Sequence, residues 1–563
     1  MSVIPGPLDE ARGARVCLVA VTAVGQAVAA GAAAFATRDV FQALHQPGSD
    51  VPVSPLLVLL FAGVVIAALR IGGRSLAERV GQDYVIALRH VLFAHLLRMP
   101  AGAIAGRRTG ALAIRFVGDL AAARNWVGLG LARIVAALVV VPGSLVALVL
   151  LSPELAAAAT VPLALFIGVM IGVGATMPPV HRQLRSQRAN LAIAVMERAP
   201  AAPELRLMGR GGSELEALRQ SGSAVRGAAV ARARRSELLR RLPEAGAAAS
   251  AVSILWLALN RDLPPAEAAG ALAVLAILVQ PLRDLATVWD YRCAWVIARD
   301  KIVALLSAPT LDPPDTQRVR PRKRPQEQAP ARLAFERVHR GAVCELDAVA
   351  EPGMKVAIIG PNGAGKSTCL ALAAGLDAAD GGAVELDGRD LAAMPVAERR
   401  RSIVFVGPRS PILKGSLRRA LTLGVSPRPA DADIEQTALD HGLEAVLRRL
   451  GGLDGKVAEA GRNLSSGEAL RLHLVRATLA KPRLLLLDEV DQALDPDGAA
   501  AFRRLIRTTA ATTLFATRDP TFARQADVLW YMQSGRVCAA GPPGDLIEHV
   551  ACVARWFRPR DAA

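Results

Sequence analysis

"MKVAIIGPNGAGKST", residues 354–368, decides the fold of half this chain. Val356 to Ile359 form an apolar run that reads as a buried strand, and a glycine-rich stretch follows it directly. Gly360, Gly363 and Gly365 let the backbone curl so that its N–H groups and the start of the next helix face an anion. In a turn of that kind Lys366 reaches the β and γ phosphates of a nucleotide, and the Ser367 hydroxyl ligates magnesium. The candidate nucleotide-binding set is therefore Gly360, Pro361, Asn362, Gly363, Ala364, Gly365, Lys366, Ser367 and Thr368. Strand, phosphate turn and helix in that order predict an α/β domain whose ligand lies at the carboxyl ends of its strands.

A second stretch supplies the chemistry. "RLLLLDEV" (483–490) is apolar on both faces, as a strand in the middle of a parallel sheet must be, and it ends in two carboxylates. Asp488 is placed to hold magnesium through water, and Glu489 to polarise the attacking water as general base. About two dozen residues later "LFATRDP" (514–520) reads as a further strand end, carrying Thr517 and Arg518.

Outward from these motifs the chain divides. Its 563 residues exceed one ordinary domain. Residues 1–308 hold apolar runs separated by Arg-rich stretches, whereas 333–558 alternate strand-like and helix-like segments. The formal net charge is +17, and nearly all of the basic residues are Arg. That charge is not gathered on an aromatic-bearing face, so nucleic acid is not an expected partner. Six Cys form no C-x-x-C pair and eight His show no ligand spacing, so neither a disulfide framework nor a zinc site is supported.

Six stretches are candidate membrane spans: about 16–37, 53–71, 129–151, 155–175, 244–260 and 266–283. The first four approach the roughly 20 apolar residues a bilayer needs, while the last two are short. Arg74, Arg79, Arg89, Arg98, Arg107, Arg108, Arg115 and Arg124 lie between the second and third runs, and Arg182 to Arg241 between the fourth and fifth. The presumed outer loops carry little besides Arg38 and Arg261. By the positive-inside rule both long loops, the N-terminus and everything after residue 284 face the cytosol. Residues 309–332, with "RVRPRKRP", read as a Pro- and Arg-rich solvated connector, with contact to anionic lipid headgroups as the alternative.

Between the two carboxyl-bearing motifs sits "NLSSGEALRLHLVRATLAKP" (463–482). Leu464, Ser465, Ser466, Gly467 and Glu468 resemble the LSGGQ signature of ABC transporter ATPases. "QALD" (492–495) resembles that family's D-loop, and "VAEAGRN" the segment that touches the membrane domain in exporter-type members. Residues 92–124 are similar to the family's first intracellular loop, and 278–306 to its sixth span, so the resemblance covers nearly the whole chain. It implies a six-helix membrane domain of the type 1 exporter kind followed by a P-loop ATPase domain. It also implies ATP and magnesium as ligands, and a half-transporter that works as a dimer. Each nucleotide would then be clamped between the P-loop of one subunit and the signature of the other.

Against that family the sequence departs in four places. Thr517 stands where a histidine contacts the γ-phosphate, and its hydroxyl is shorter than an imidazole and uncharged. Arg518 is not an expected substitute, because adjacent strand residues point to opposite faces. Pro408 replaces the Q-loop glutamine, and "FERVHRGA" (335–342) lacks the aromatic residue that stacks on adenine. The signature also differs at Ser466 and at Glu468, where a carboxylate in place of the usual amide would lie closer to the partner's bound phosphates. The expectation is a subunit that binds ATP, hydrolyses it weakly and pairs with a different half-transporter. Its work in the cytoplasmic membrane would be export of a small molecule, peptide or lipid. Import of a siderophore-like solute on the same scaffold, or a nucleotide-gated regulatory role without turnover, are the alternatives. No acid or base within the spans is expected to mark a solute pathway.

Overall fold

A computed structural model describes residues 4–9, 12–45, 52–107, 112, 115–311, 329–408 and 410–558. The chain separates into two compact units. The first, residues 1–97 and 106–308, contains among its described residues six helices long and apolar enough to cross a membrane. These are α1 (Arg12–Leu44), α2 (Val53–Leu96), α3 (Arg115–Leu151), α4 (Pro153–Arg198), α5 (Gly211–Asn260) and α6 (Pro265–Leu306). Each expected apolar run lies within one of them. The fifth and sixth runs look short because α5 begins, and α6 ends, far beyond the apolar stretch in polar sequence.

Helix packing in this unit rests on small residues. A Cβ on Gly128 of α3 would meet the Ala77 carbonyl oxygen of α2 at 2.6 Å, and one on Gly81 would meet the Arg124 carbonyl oxygen at 2.9 Å. The two backbones therefore touch where each lacks a side chain. Elsewhere Leu148, Leu155, Ile254, Ala271 and Leu278 build a core shared by α3, α4, α5 and α6. Large apolar side chains such as Val28, Phe61, Leu138, Val161 and Leu259 are exposed, a surface suited to lipid. One carboxylate ties three helices: buried Asp290 of α6 accepts from Ser236 of α5 at 2.8 Å and lies 3.1 Å from His181 of α4. Arg240 of α5 approaches it at 3.3 Å.

Charge also stands inside the apolar runs, contrary to the expectation of none. Arg133 lies in the third run and pairs at 3.3 Å with Asp284, just past the sixth. The overall apolarity of the run hides a single arginine near its first turn.

The second unit comprises residues 98–105 and 309–563. The linker falls mainly at 312–328, outside the described residues. The helical turn Ala101–Ala105 belongs to this unit: the Ala101 N–H donates to the Leu376 carbonyl at 2.8 Å, and the Leu311 N–H to the Arg98 carbonyl at 2.7 Å. Two main sheets form the unit. One is antiparallel, ordered β2-β1-β4-β5, from β1 (Leu333–Arg340), β2 (Val343–Ala350), β4 (Gly381–Leu386) and β5 (Arg389–Asp390). The other has six strands in the order β12-β11-β3-β10-β9-β6. These are β3 (Lys355–Ile359), β6 (Ile403–Val406), β9 (Leu484–Asp488), β10 (Thr512–Ala516), β11 (Val528–Gln533) and the antiparallel edge β12 (Arg536–Gly541). All five residues of β9 and of β10 are buried, as expected for strands covered on both faces. A short pair, β7 (Gly415–Ser416) and β8 (Lys456–Val457), lies in a helical lobe.

Candidate ATP-binding site

Strand register gathers the site. Ala516 of β10 pairs in parallel with Ile358 of β3 and with Asp488 of β9, so the three strands end level. The glycine turn, the acidic pair and Thr517 leave the sheet together at its carboxyl edge.

The turn after β3 has the backbone its sequence predicts. Gly360, Gly363 and Gly365 have φ of 145°, 79° and 100°, and a Cβ on Gly360 would lie 2.1 Å from the Met532 carbonyl oxygen. A Cβ on Gly363 would meet nothing within 4 Å, so the concave side is open. Pro361, Asn362 and Ala364 complete the curve, and helix α7 (Lys366–Ala373) starts from Gly365, with Ser367 and Thr368 in its first turn. Lys366 Nζ donates to the carbonyls of Gly360 and Pro361, at 2.9 and 3.0 Å. Burial lowers its pKa, opposed by the carboxylate of Glu489.

Ser367 Oγ donates to Asp488 Oδ1 at 2.9 Å. A hydroxyl and a carboxylate in contact beside a lysine and an open backbone turn are a donor set that suits magnesium and the phosphates it bridges. Burial raises the Asp488 pKa, and the Ser367 hydrogen bond opposes that rise. Glu489 follows in the left-handed region, φ 47° and ψ 36°, with its N–H donating to the Ala516 carbonyl at 3.2 Å.

Arg518 is where sequence reasoning fails. Its Nη2 and Nε donate to Glu489 Oε1 at 2.8 and 3.1 Å, so it faces the site. Strand alternation does not govern it, since β10 stops at Ala516. Thr517 is buried, and its hydroxyl donates to Asp491 Oδ2 at 2.5 Å. The same oxygen accepts the N–H groups of Arg518 at 3.2 Å and Asp519 at 3.3 Å. Asp491 carried no role in the sequence reading; the shortness of a threonine side chain at that strand end was the available signal.

Pro408 follows Gly407 in the turn after β6, and a Cβ on Gly407 would lie 3.4 Å from Asp488 Cβ. Pro408 offers no side-chain donor or acceptor there.

The signature stands in the helical lobe, at the start of α8 (Ser466–Ala480). Ser465 is its N-cap: Ser465 Oγ accepts from the Glu468 N–H at 3.1 Å, and Glu468 Oε2 accepts from the Ser465 N–H at 2.8 Å. Gly467 abuts the Asp495 carboxylate, and Leu464 packs on the lobe's core. Arg449 donates to both Glu468 oxygens at 2.8 Å and, with the cap, holds the carboxyl pKa down at about 2. That charge is paired within the chain by Arg449. Among the described residues no hydrogen bond joins 464–468 to 360–368.

Residues 16–263 match the model of the ABC transporter transmembrane region, and residues 345–492 that of the ABC transporter. The chain joins an ABC transmembrane region to an ABC ATPase domain. Its fold is that of a solved bacterial Atm1-family ABC exporter with ATP bound, at TM-score 0.84 over 98% of each chain and 19% identity. A multidrug efflux ATP-binding/permease protein of Mycobacterium bovis is 30% identical over 49% of this chain. A mycobactin import ATP-binding/permease protein of Mycolicibacterium smegmatis is 29% identical over 51%. The matched stretches span 23% and 50% of those two relatives.

Proposed function

We propose that this chain is one half of an ATP-driven transporter in the cytoplasmic membrane, and that its own nucleotide site turns over slowly. Lys366, the backbone of Gly360–Gly365 and the first turn of α7 bind the phosphates. Ser367 and Asp488 hold magnesium, which when bound draws charge from the phosphate oxygens. Glu489 is the general base, and Leu464, Ser465, Ser466, Gly467 and Glu468 close over the nucleotide of a partner subunit.

The observation that carries the asymmetry is the coupled arrangement at the strand end. The Thr517 hydroxyl is engaged by Asp491, and the Glu489 carboxylate is engaged by Arg518. The first leaves the γ-phosphate without the usual side-chain contact. The second occupies Glu489 Oε1 and competes with the water that the carboxylate must activate. A transition-state contact of about 1.5–3 kcal/mol, if lost, slows this site roughly 10- to 150-fold. A different half-transporter, contributing its own P-loop and base, then supplies nearly all turnover, and this favours a heterodimer.

Steady-state phosphate release from the purified pair tests this. Glu489→Gln is expected to change the rate only slightly, while the equivalent change in the partner nearly abolishes it. A large loss from Glu489→Gln, or full activity of this chain as a homodimer, refutes the asymmetric reading. Export is the proposed direction, as in the efflux relative; the mycobactin relative supports import as the second reading. Uptake against release of solute by sealed vesicles separates the two.

A further inference from the structure

We infer that the membrane unit contains a built site for an amphipathic anion, in a cavity of about 310 Å³ between α1, α2, α3 and α6. This names a substrate class for the transport reading and rests on that reading only for its physiological meaning. Seven polar residues line the cavity: Thr22, Gln26, Arg70, Arg74, Arg133, Gln280 and Asp284. Three guanidiniums face one carboxylate, an excess of two positive charges by simple count. Arg133 is already oriented, with its Nε 3.3 Å from Asp284 Oδ1 and its guanidinium 5.4 Å from the Tyr291 ring centroid. Its Nη1 is buried and has no hydrogen-bond partner. A buried donor without a partner is a costly feature unless an acceptor arrives.

On three of the helices apolar lining continues outward from the charged residues. On α2, Ile66 precedes Arg70 by four residues; on α3, Val140 follows Arg133 by seven; on α6, Ile277 precedes Asp284 by seven. At 1.5 Å per residue the apolar lining is displaced about 6–10 Å along each helix. Successive spans alternate in direction, so all three displacements point the same way, from the cytosolic ends of the helices toward the membrane interior. A ligand that fits has an anionic phosphate or carboxylate head among the arginines and an apolar body along Ile66, Val140 and Ile277. The volume is at the lower end for a small-molecule site. A lipid of the inner leaflet and a free amphiphilic anion share this chemistry.

The test uses the full chain, purified in detergent and stripped of lipid, and counts bound molecules by native mass spectrometry. One arm offers phosphatidylglycerol against phosphatidylcholine of the same acyl chains, and the other dodecyl phosphate against dodecanol. Anionic members are expected to be retained over their neutral twins. Arg133→Gln, and Arg70→Ala with Arg74→Ala, are expected to cut that retention on the order of tenfold. Arg133→Lys keeps the charge, and its partial retention guards against misfolding as the cause. Displacement of phosphatidylglycerol by dodecyl phosphate assigns the site to free anions, and failure to displace it assigns the site to a lipid headgroup. Equal retention of the neutral twins, or anion retention unchanged in the arginine variants, overturns the inference. Binding of a fluorescent ATP analogue to the same preparations reports separately: its loss with anion retention intact sinks the transport reading and leaves the cavity standing.

Discussion

His473 on α8 is 7% exposed, and its Nδ1 lies 3.1 Å from Arg476 Nη1. An arginine can only donate, so that nitrogen accepts and the ring is neutral. Burial, then the Arg476 charge, lowers its pKa from 6.5 to about 4. Below about 6.5 the unfolded chain therefore takes up a proton that the folded chain refuses until about 4, and stability falls as pH drops through that window. The loss amounts to roughly 2 kcal/mol by pH 5. Thermal melts of the full chain at pH 7 and 5 should show it, and His473→Gln, which can still accept from Arg476, should flatten the difference. Identical pH dependence in both proteins would mean that His473 is not the group responsible. The candidate site's motifs are contiguous in sequence, as in Gly360–Thr368, Asp488–Glu489 and Leu464–Glu468, and so could be proposed from it. Their partners could not. Arg449 is 19 positions from Glu468 and Arg518 is 29 from Glu489, and only the folded chain brings them into contact.

At the scale of elements, apolar runs marked where the membrane helices lie but not how long they are. α5 continues N-terminally through Arg-rich sequence whose helical state no hydropathy reading reveals. The π-helical stretches Arg115–Asp119 and Asn125–Gly130 within α3 were likewise invisible, since they depend on packing rather than on local composition. The second of these stretches contains Gly128, where α3 meets α2. Gly128→Val would place side-chain atoms where a single Cβ already falls 2.6 Å from the Ala77 carbonyl oxygen and 2.9 Å from Gly81 Cα. The helices must part or the backbone shift, an overpacking cost of about 1–3 kcal/mol. The detergent melting temperature of Gly128→Val should fall clearly. Gly212→Ala, where a Cβ meets nothing within 4 Å, should leave it unchanged or slightly raised. Equal melting of both variants would show that the α2–α3 contact is loose.

For the whole molecule, the alternation of apolar and Arg-rich stretches carried both the two-part architecture and the expected topology, because burial in lipid and translocation each act on long segments rather than single residues. Asp262, at the turn between α5 and α6, is exposed with φ 50°, and it follows Arg261 in a loop with little other positive charge. Gly211, at the start of α5, lies instead among the arginines from Arg182 to Arg241. Six spans with the N-terminus inward, as the charge distribution leads one to expect, would put Asp262 on the outer side of a cytoplasmic membrane and Gly211 on the inner side. The native cysteines complicate labelling little: Cys293 and Cys369 are buried, and Cys344, Cys538 and Cys552 lie in the ATPase unit. Cys17, exposed on α1, is removed first as Cys17→Ser. A membrane-impermeant maleimide added to intact cells should then label Asp262→Cys and leave Gly211→Cys unlabelled until the membrane is opened. Labelling of Gly211→Cys from outside would invert α5 and, with it, the side of the membrane on which the arginines of α5 and the ATPase unit lie.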